Sequence, residues 1–244
     1  MIAVGQKSKM LLGLLLIAAA VLLILEIAQL VWRISISRRI VARAVAYQRI
    51  NSQAQFRILV VGDSTGVGTG AKQKEDSIAG RLGQTYADAQ IINVSRNGVR
   101  VRDALSMLKD IGHERFDLIV IQVGGNDILR FGNLKKLQKD LSELFKIARS
   151  MSPRVVALHS GNVGLAPFFP RPIGWIYSWR TQEVRAVYGQ LAREHGVHYV
   201  DLYLERKTDP FSRDPRRYYA ADMLHPSSDG YAIWYERVLE TIEK

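Results

Sequence analysis

The pattern of hydrophobic positions divides the chain into two unlike parts. Residues 10–32 form a continuous apolar run that contains one charged residue, Glu26. As a helix, this run spans about 34 Å, enough to cross a hydrocarbon core of about 30 Å. From Phe56 onward, short runs rich in Val and Ile alternate with longer amphipathic stretches. The pattern predicts one transmembrane helix followed by a domain that mixes strands and helices.

The short runs are apolar at nearly every position, which is typical of strands buried on both faces of a parallel sheet. They occupy residues 56–61, 91–94, 118–123, 155–158 and 197–202. Helical patterns fill the stretches between and after them, at residues 76–87, 101–112, 133–150, 178–195 and 229–243. Residues 161–175, with three prolines and three glycines, are predicted to form an apolar loop. The alternation predicts an α/β fold of about five parallel strands with helices on both faces.

Charge is concentrated beside the apolar run. The chain carries 34 basic and 23 acidic residues, a net charge of +11, and residues 1–56 hold seven of the basic residues and one acidic residue. Because no nucleic-acid-binding motif accompanies it, this charge favours an anionic membrane surface over nucleic acid as a partner. The lack of cysteine excludes disulfide bonds, thiolate metal sites and a cysteine nucleophile.

Four segments follow from these patterns. We predict an N-terminal tail (1–9), a transmembrane helix (10–32), a basic juxtamembrane linker (33–55) and a folded domain (56–244). A cleaved signal peptide is the alternative, but its apolar region usually spans only about 7–15 residues. Arginines after the run favour a cytoplasmic domain by the positive-inside rule, whereas a signal-anchor orientation places the domain on the other side of a single-pass membrane protein.

Glycines and polar residues follow the predicted strands. Because ligands of parallel α/β sheets bind outside the carboxyl ends of the strands, these residues are expected to meet at one edge. They are Gly62-Asp63-Ser64, Asn97-Gly98, Gly124-Gly125-Asn126-Asp127 and, before the last helix, Asp222-Met223-Leu224-His225-Pro226. Asp63 and Asp127 are expected to shape turns rather than to bind a metal.

A serine hydroxyl near neutral pH needs a base to become a nucleophile. His225 can serve Ser64 in this way, and Asp222, three residues earlier, can orient the imidazole and stabilise its charged form. Asp201, near the end of the fifth predicted strand, is the rival acid. His159, after the fourth strand, is the other histidine that could line the cleft.

An oxyanion formed on attack by the serine needs hydrogen-bond donors. The backbone N–H groups of Ser64 and Gly98 and the side-chain amide of Asn126 could supply three. These residues complete a set of candidate catalytic groups drawn from four separate motifs.

The four motifs, in this order, resemble those of the SGNH, or GDSL-like, hydrolase family. The resemblance covers residues 56–243 and departs from the family's name-giving motif at Thr65, where the family has leucine. It implies a three-layer α/β/α, flavodoxin-like fold. It also implies ester hydrolysis through an acyl-enzyme that uses neither a metal nor an organic cofactor.

The sequence therefore predicts a membrane-anchored serine ester hydrolase acting on lipid or small acyl esters, similar to a lysophospholipase or carboxylesterase. Alternatives are a deacetylase of O-acetylated cell-envelope glycan and a catalytically silent binding module with the same fold. Phe168, Phe169 and Trp175 are candidate substrate-binding residues, although their loop could instead enter the bilayer or cover the core. The basic segment 206–217 could bind an anionic headgroup or form a solvated loop.

Overall fold

A sheet of five parallel strands forms the centre of the domain. In the computed structural model, which describes residues 2–242, the strand order is β2-β1-β3-β4-β5. The strands are β1 (Arg57–Gly62), β2 (Gln90–Asn93), β3 (Leu118–Gln122), β4 (Val155–Leu158) and β5 (His198–Tyr199). The predicted parallel α/β architecture is confirmed.

Helices cover both faces of this sheet. The helices of residues 2–242 are α1 (Ile2–Arg43), α2 (Ser64–Val67), α3 (Ile78–Thr85), α4 (Val101–Ile111), α5 (Gly125–Leu129), α6 (Leu134–Met151), α7 (Arg171–His195), α8 (Pro210–Arg213), α9 (Pro215–Tyr218) and α10 (Ser228–Ile242). Short 3-10 turns lie at Lys74–Asp76 and Val163–Leu165. Helices α4, α6 and α7 pack on one face, and α3 and α10 pack on the other. The result is the expected three-layer arrangement.

Successive residues of each inner strand enter opposite cores. In β1, Leu59 packs with α4, α6 and α7, whereas Val60 packs with α3 and α10. Side chains of a strand alternate between faces, so a strand covered on both sides must be apolar at every position. This explains why the strands appear in the sequence as unbroken apolar runs.

The fifth strand is shorter than the predicted run of residues 197–202. Only His198 and Tyr199 pair with β4, and the last hydrogen bond beyond them joins the Val200 N–H to the Ala157 carbonyl at 2.9 Å. The next apolar residue, Leu202, is buried in the core without strand pairing. The apolar pattern of residues 197–202 predicted burial correctly. A buried segment need not, however, form hydrogen bonds with a neighbouring strand.

The predicted loop at residues 161–175 ends earlier than expected. Helix α7 begins at Arg171, after Pro170 at its N-cap, rather than at residue 178. Proline is tolerated at the N-cap because the N–H group that it lacks would have no partner within the helix. Residues 171–175 are therefore helical, and the loop is confined to residues 161–170.

The N-terminal helix α1 is continuous through the predicted bounds of the tail, the transmembrane segment and the first part of the linker. It is the one helix among residues 2–242 that is long and apolar enough to cross a membrane. After it, the Tyr47 side chain is buried in the domain core, and Arg49 forms a backbone bridge with Ile91. Met1 and residues 243–244, the outer ends of the predicted tail and domain, lie outside the described residues.

The hydroxyl of Tyr231 ties α10 to the chain after α2. It is fully buried and donates a hydrogen bond of 2.8 Å to the Thr69 carbonyl. Tyr231→Phe leaves this buried carbonyl without its partner, so we expect the free energy of unfolding to fall by about 1–3 kcal/mol. Urea titration of the full chain in mild detergent measures the change.

The matched control is Tyr86→Phe, because the hydroxyl of this half-buried tyrosine has no hydrogen-bond partner among the described residues. We expect the control to change the free energy of unfolding by less than about 0.5 kcal/mol. Equal losses in the two variants would contradict the role assigned to the Tyr231 hydroxyl.

Candidate active site

Three of the predicted catalytic residues form a chain of hydrogen bonds at the carboxyl end of β1. Ser64 Oγ lies 3.2 Å from Nε2 of His225, and Nδ1 of His225 lies 2.6 Å from Oδ2 of Asp222. The other carboxylate oxygen, Asp222 Oδ1, accepts the backbone N–H groups of Leu224 and His225 at 3.0 and 3.1 Å. Both oxygens of the acid are thus engaged, which fixes its orientation toward the imidazole.

The Gly62-Asp63-Ser64 motif places the serine by its local geometry. A Cβ on Gly62 would lie 2.1 Å from the carbonyl oxygen of Gln122, so the position accepts only glycine. Asp63 caps α2, since its side chain accepts the Thr65 N–H at 2.9 Å and the Thr65 hydroxyl at 2.8 Å. Ser64 is the first residue of α2, where the N–H group has no partner within the helix.

A tight turn brings the acid and the base together. The His225 carbonyl accepts the Ala220 N–H at 2.8 Å, which closes the turn around Asp222. Inside it, Met223 has a φ of 60°, in the left-handed region that non-glycine residues rarely adopt. The unusual backbone at Met223 lets two side chains three residues apart face each other.

The environment keeps Asp222 ionised. Burial by itself opposes ionisation of this carboxyl, but the hydrogen bond and charge of His225 and two backbone N–H groups outweigh it and lower the pKa below its ordinary value. A charged Asp222 can stabilise the imidazolium that forms when His225 accepts a proton.

The rival acid and the second histidine have other partners. Asp201 binds the guanidinium of Arg185, with 2.8 Å between its Oδ2 and Arg185 Nε. His159 is buried, with its Nε2 2.8 Å from the Tyr199 hydroxyl, and burial lowers its pKa to about 4. The structure brings neither residue into hydrogen-bond contact with Ser64 or His225.

The predicted oxyanion donors line the same cavity as the serine. Ser64, Gly98 and Asn126 all contribute to its wall. One hydrogen of the Asn126 amide is donated to the Val99 carbonyl at 3.0 Å, which holds the side chain and leaves its second hydrogen for a ligand. Gly98 adopts a φ of 79°, which favours glycine.

The cavity has a volume of about 430 Å³, within the range of about 300–1,000 Å³ that is common for small-molecule sites. Its wall is mostly apolar. The apolar lining side chains are Val41, Leu129, Val163, Ala166, Leu202, Leu204, Pro210, Phe211, Tyr219, Leu224, Pro226, Ile233 and Trp234. The apolar wall makes the cavity suited to a ligand with a hydrocarbon part.

The aromatic residues predicted to bind substrate do not line this cavity. Phe168 and Phe169 are half-buried and pack against the hydrophobic core, and Trp175 is 68% exposed on α7. A run of aromatics in a Pro-rich segment does not indicate which way the chain turns, so contact of these residues with a substrate remains a prediction. Phe211 and Trp234, which do line the cavity, lie far from that segment in the sequence.

Two further lining residues come from the segment that was predicted to be a linker. Ser37 and Val41 of α1 contribute to the cavity wall. With Arg33 they have the i, i+4 spacing that places side chains on one face of a helix. Two of these three half-buried residues are polar, so no apolar pattern in the sequence indicates this face of the helix.

Comparison with known proteins gives three findings. The model of the GDSL-like lipase/acylhydrolase family matches residues 60–233. Esterase TesA of Pseudomonas aeruginosa is 29% identical over 153 residues, which cover 61% of this chain and 71% of TesA.

The third finding is structural. A crystal structure of TesA superposes with a TM-score of 0.62 at 24% identity and covers 77% of this chain and 98% of that one. Axe2, an acetylxylan esterase from Geobacillus stearothermophilus, superposes with a TM-score of 0.58 at 19% identity, over 80% and 97% of the two chains. At these identities the two structures show a shared fold.

A second buried carboxyl near the site makes stability depend on pH. Asp127 accepts the Val101 N–H at 3.0 Å, and burial raises its pKa from 3.8 to about 6. The folded chain therefore holds this proton more tightly than the unfolded chain. The ionised group destabilises the fold fully above about pH 6, and the penalty disappears as the pH falls toward 4.

Asp127→Asn keeps an acceptor for the Val101 N–H and removes the charge. We expect the free energy of unfolding to rise at pH 8, by at most about 3 kcal/mol, and the gain to vanish near pH 4. Urea titrations of both proteins across this range measure it. Asp88→Asn makes the same charge change at an exposed position and is the control. A gain that is the same at pH 4 and pH 8 would refute the assignment.

Proposed function

Since the chain belongs to the GDSL-like lipase/acylhydrolase family and is a serine ester hydrolase, we propose that it is anchored in a membrane and hydrolyses lipid or small acyl esters through an acyl-enzyme on Ser64. The observation that carries the proposal is the chain of hydrogen bonds from Ser64 through His225 to Asp222 beside a largely apolar cavity. The roles of the nucleophile, the base, the acid and the oxyanion donors are part of this proposal.

The first half of the reaction forms the acyl-enzyme. Ser64 Oγ attacks the ester carbonyl while Nε2 of His225 takes the hydroxyl proton, and Asp222 stabilises the resulting imidazolium. The oxyanion accepts hydrogen bonds from the N–H groups of Ser64 and Gly98 and from the Asn126 amide. When the carbonyl re-forms, the bond to the alcohol breaks and His225 gives its proton to the leaving oxygen.

The second half releases the acid. Water attacks the acyl group on Ser64 and transfers a proton to His225, and the second oxyanion is held by the same donors. Collapse breaks the bond to Ser64 Oγ, which recovers its proton from His225. The products are an alcohol and a carboxylic acid, so atoms and charges balance with water as the co-substrate.

The apolar wall favours a substrate with an acyl chain. Each methylene that leaves water contributes about 0.8 kcal/mol, so a few contacts with Phe211, Ile233 and Trp234 distinguish a longer chain from an acetyl group. The exposed apolar side chains of α1 between residues 10 and 32 support a membrane anchor, because such a surface is unfavourable in water.

Deacetylation of a glycan is the second candidate. The shared fold with an acetylxylan esterase is compatible with it. The cavity also contains polar side chains, Asn162, Asp209 and Arg237, that could contact sugar hydroxyl groups.

Hydrolysis of p-nitrophenyl esters from acetyl to palmitoyl by the full chain in detergent tests the proposal. We expect turnover that increases with chain length and that falls to the uncatalysed rate in Ser64→Ala, because the nucleophile is lost. Ser106→Ala, at an exposed serine, is the matched control and retains full activity. Turnover that survives in Ser64→Ala excludes this serine as the nucleophile. A sharp preference for acetyl favours the deacetylase.

Asn126→Ala tests the oxyanion site. Loss of one such donor costs about 2.7–4 kcal/mol of transition-state stabilisation, so we expect kcat to fall about 10²–10³-fold. The KM should change little, because the donor acts on charge that develops in the transition state. Gln190→Ala removes an exposed amide far from the site and serves as the control. A loss confined to KM would show that Asn126 binds the ground state instead.

A further inference from the structure

The helix that contains the apolar segment also forms part of the catalytic cavity. Ser37 and Val41, near the C-terminal end of α1, line the same cavity as Ser64. No break in α1 separates these residues from the apolar segment 10–32. Because α1 is continuous, the position of the apolar segment determines the position of the cavity wall that Ser37 and Val41 form.

Contacts to two loops hold α1 across the mouth of the cavity. The Asn97 amide donates a hydrogen bond of 3.4 Å to the Val41 carbonyl, and the Arg33 guanidinium donates one to the Pro167 carbonyl. Asn97 follows β2 and Pro167 follows β4, and β1 and β3 lie between these strands in the sheet.

The dimensions of the helix and the sheet agree with this crossing. Three strand-to-strand steps from β2 to β4 span about 14 Å. The eight residues from Arg33 to Val41 advance a helix by about 12 Å. Helix α1 thus passes over the ends of β1 and β3, which are followed by Ser64 and Asn126.

The cavity is also close to the end of the apolar segment. Ser37 is five residues beyond Trp32 and Val41 is nine, which correspond to about 7 and 14 Å along the helix. Each headgroup layer of a bilayer is about 5–7 Å thick. Arg38 and Arg39, which are exposed on α1, would lie at the height where basic side chains contact anionic headgroups.

We propose that residues 33–41 of α1 are part of the ester-binding site, and that the substrate is a membrane amphiphile whose acyl chain enters the cavity along this helix. The inference rests on the proposed function and names its substrate class. An ester with a long acyl chain then passes from the headgroup layer, near the height of Ser37, into the cavity along the half-buried face of α1. When the acyl chain leaves the bilayer, contacts with the apolar wall of the cavity, which includes Val41 and Trp234, replace its contacts with lipid.

The test uses the full chain reconstituted in vesicles of diether phosphatidylcholine, a lipid without ester bonds. Palmitoyl lysophosphatidylcholine in these vesicles is the amphiphilic substrate, and p-nitrophenyl acetate is the soluble one. Val41→Trp fills the cavity from α1, whereas Ala42→Trp places the same side chain at the adjacent, exposed position.

We expect Val41→Trp to lower the ratio of palmitoyl to acetyl kcat/KM at least about tenfold, as misfit of a few methylenes does in apolar pockets. Ala42→Trp should leave this ratio within twofold. Ser37→Trp, on the same face as Val41, is a second variant, so the result stands even if one substitution prevents folding. Labelling of Ser64 by a fluorophosphonate identifies the variants that are folded.

Two results would overturn the inference while the proposed function stands. One is hydrolysis of p-nitrophenyl acetate that depends on Ser64, with no hydrolysis of the ester in the vesicles. The other is an equal change of the ratio in Ala42→Trp and in the folded variants at positions 37 and 41. Failure of the proposed function gives a different pattern, in which the unaltered chain cleaves neither ester and Ser64 takes up no fluorophosphonate.

Discussion

The close parallel pairing of β1 with β3 is the constraint on which the site depends. Gly62 and Gln122 are register partners at the ends of these strands, and the Asp63 N–H donates a hydrogen bond of 2.8 Å to the Gln122 carbonyl. A side chain at position 62 would collide with that carbonyl. Both strands therefore end at the same height, and the residues that follow them, Ser64 and Asn126, line one cavity. The approach of Ser64 and Asn126 from distant parts of the chain thus follows from the register of two strands.

Buried carboxylates around this edge have two different electrostatic environments. Asp222 faces an imidazole and two N–H groups, which lower its pKa against the effect of burial. Asp63 and Asp127 accept hydrogen bonds from backbone N–H groups, and burial raises the pKa of both. These two side chains hold turns in place, whereas Asp222 is the carboxylate paired with a base. Aspartate thus has two roles at this edge of the sheet, holding turns and pairing with a base. The hydrogen-bond partners of each carboxyl determine its role.

Sequence patterns predicted the features that arise from local constraints. The three inner strands, β1, β3 and β4, appear as apolar runs because both faces of the sheet are covered, and the motifs that follow β1 and β3 require glycine or a capping side chain. The Pro-rich segment was less predictable, because a helix can begin directly after a proline such as Pro170. The length of β5 was also less predictable, because Leu202 is buried without pairing with a strand. The cavity wall was missed most. It joins Val41 to Phe211 and Trp234, and no local pattern records contacts between residues so far apart.

The chain that follows α1 packs closely against the domain, which holds helix α1 rigidly to it. Within a few residues of Arg43, Tyr47 enters the core, and Arg49 pairs with Ile91 beside β2. A flexible linker would let the domain rotate and would give the cavity no fixed orientation to the bilayer. The short, packed segment after Arg43 restricts this rotation at the end of α1. The hydrogen bond from Arg33 to the Pro167 carbonyl restricts it further along the helix. The mouth of the cavity then keeps a constant height and direction relative to the apolar segment, as the proposed uptake of an ester from a membrane requires.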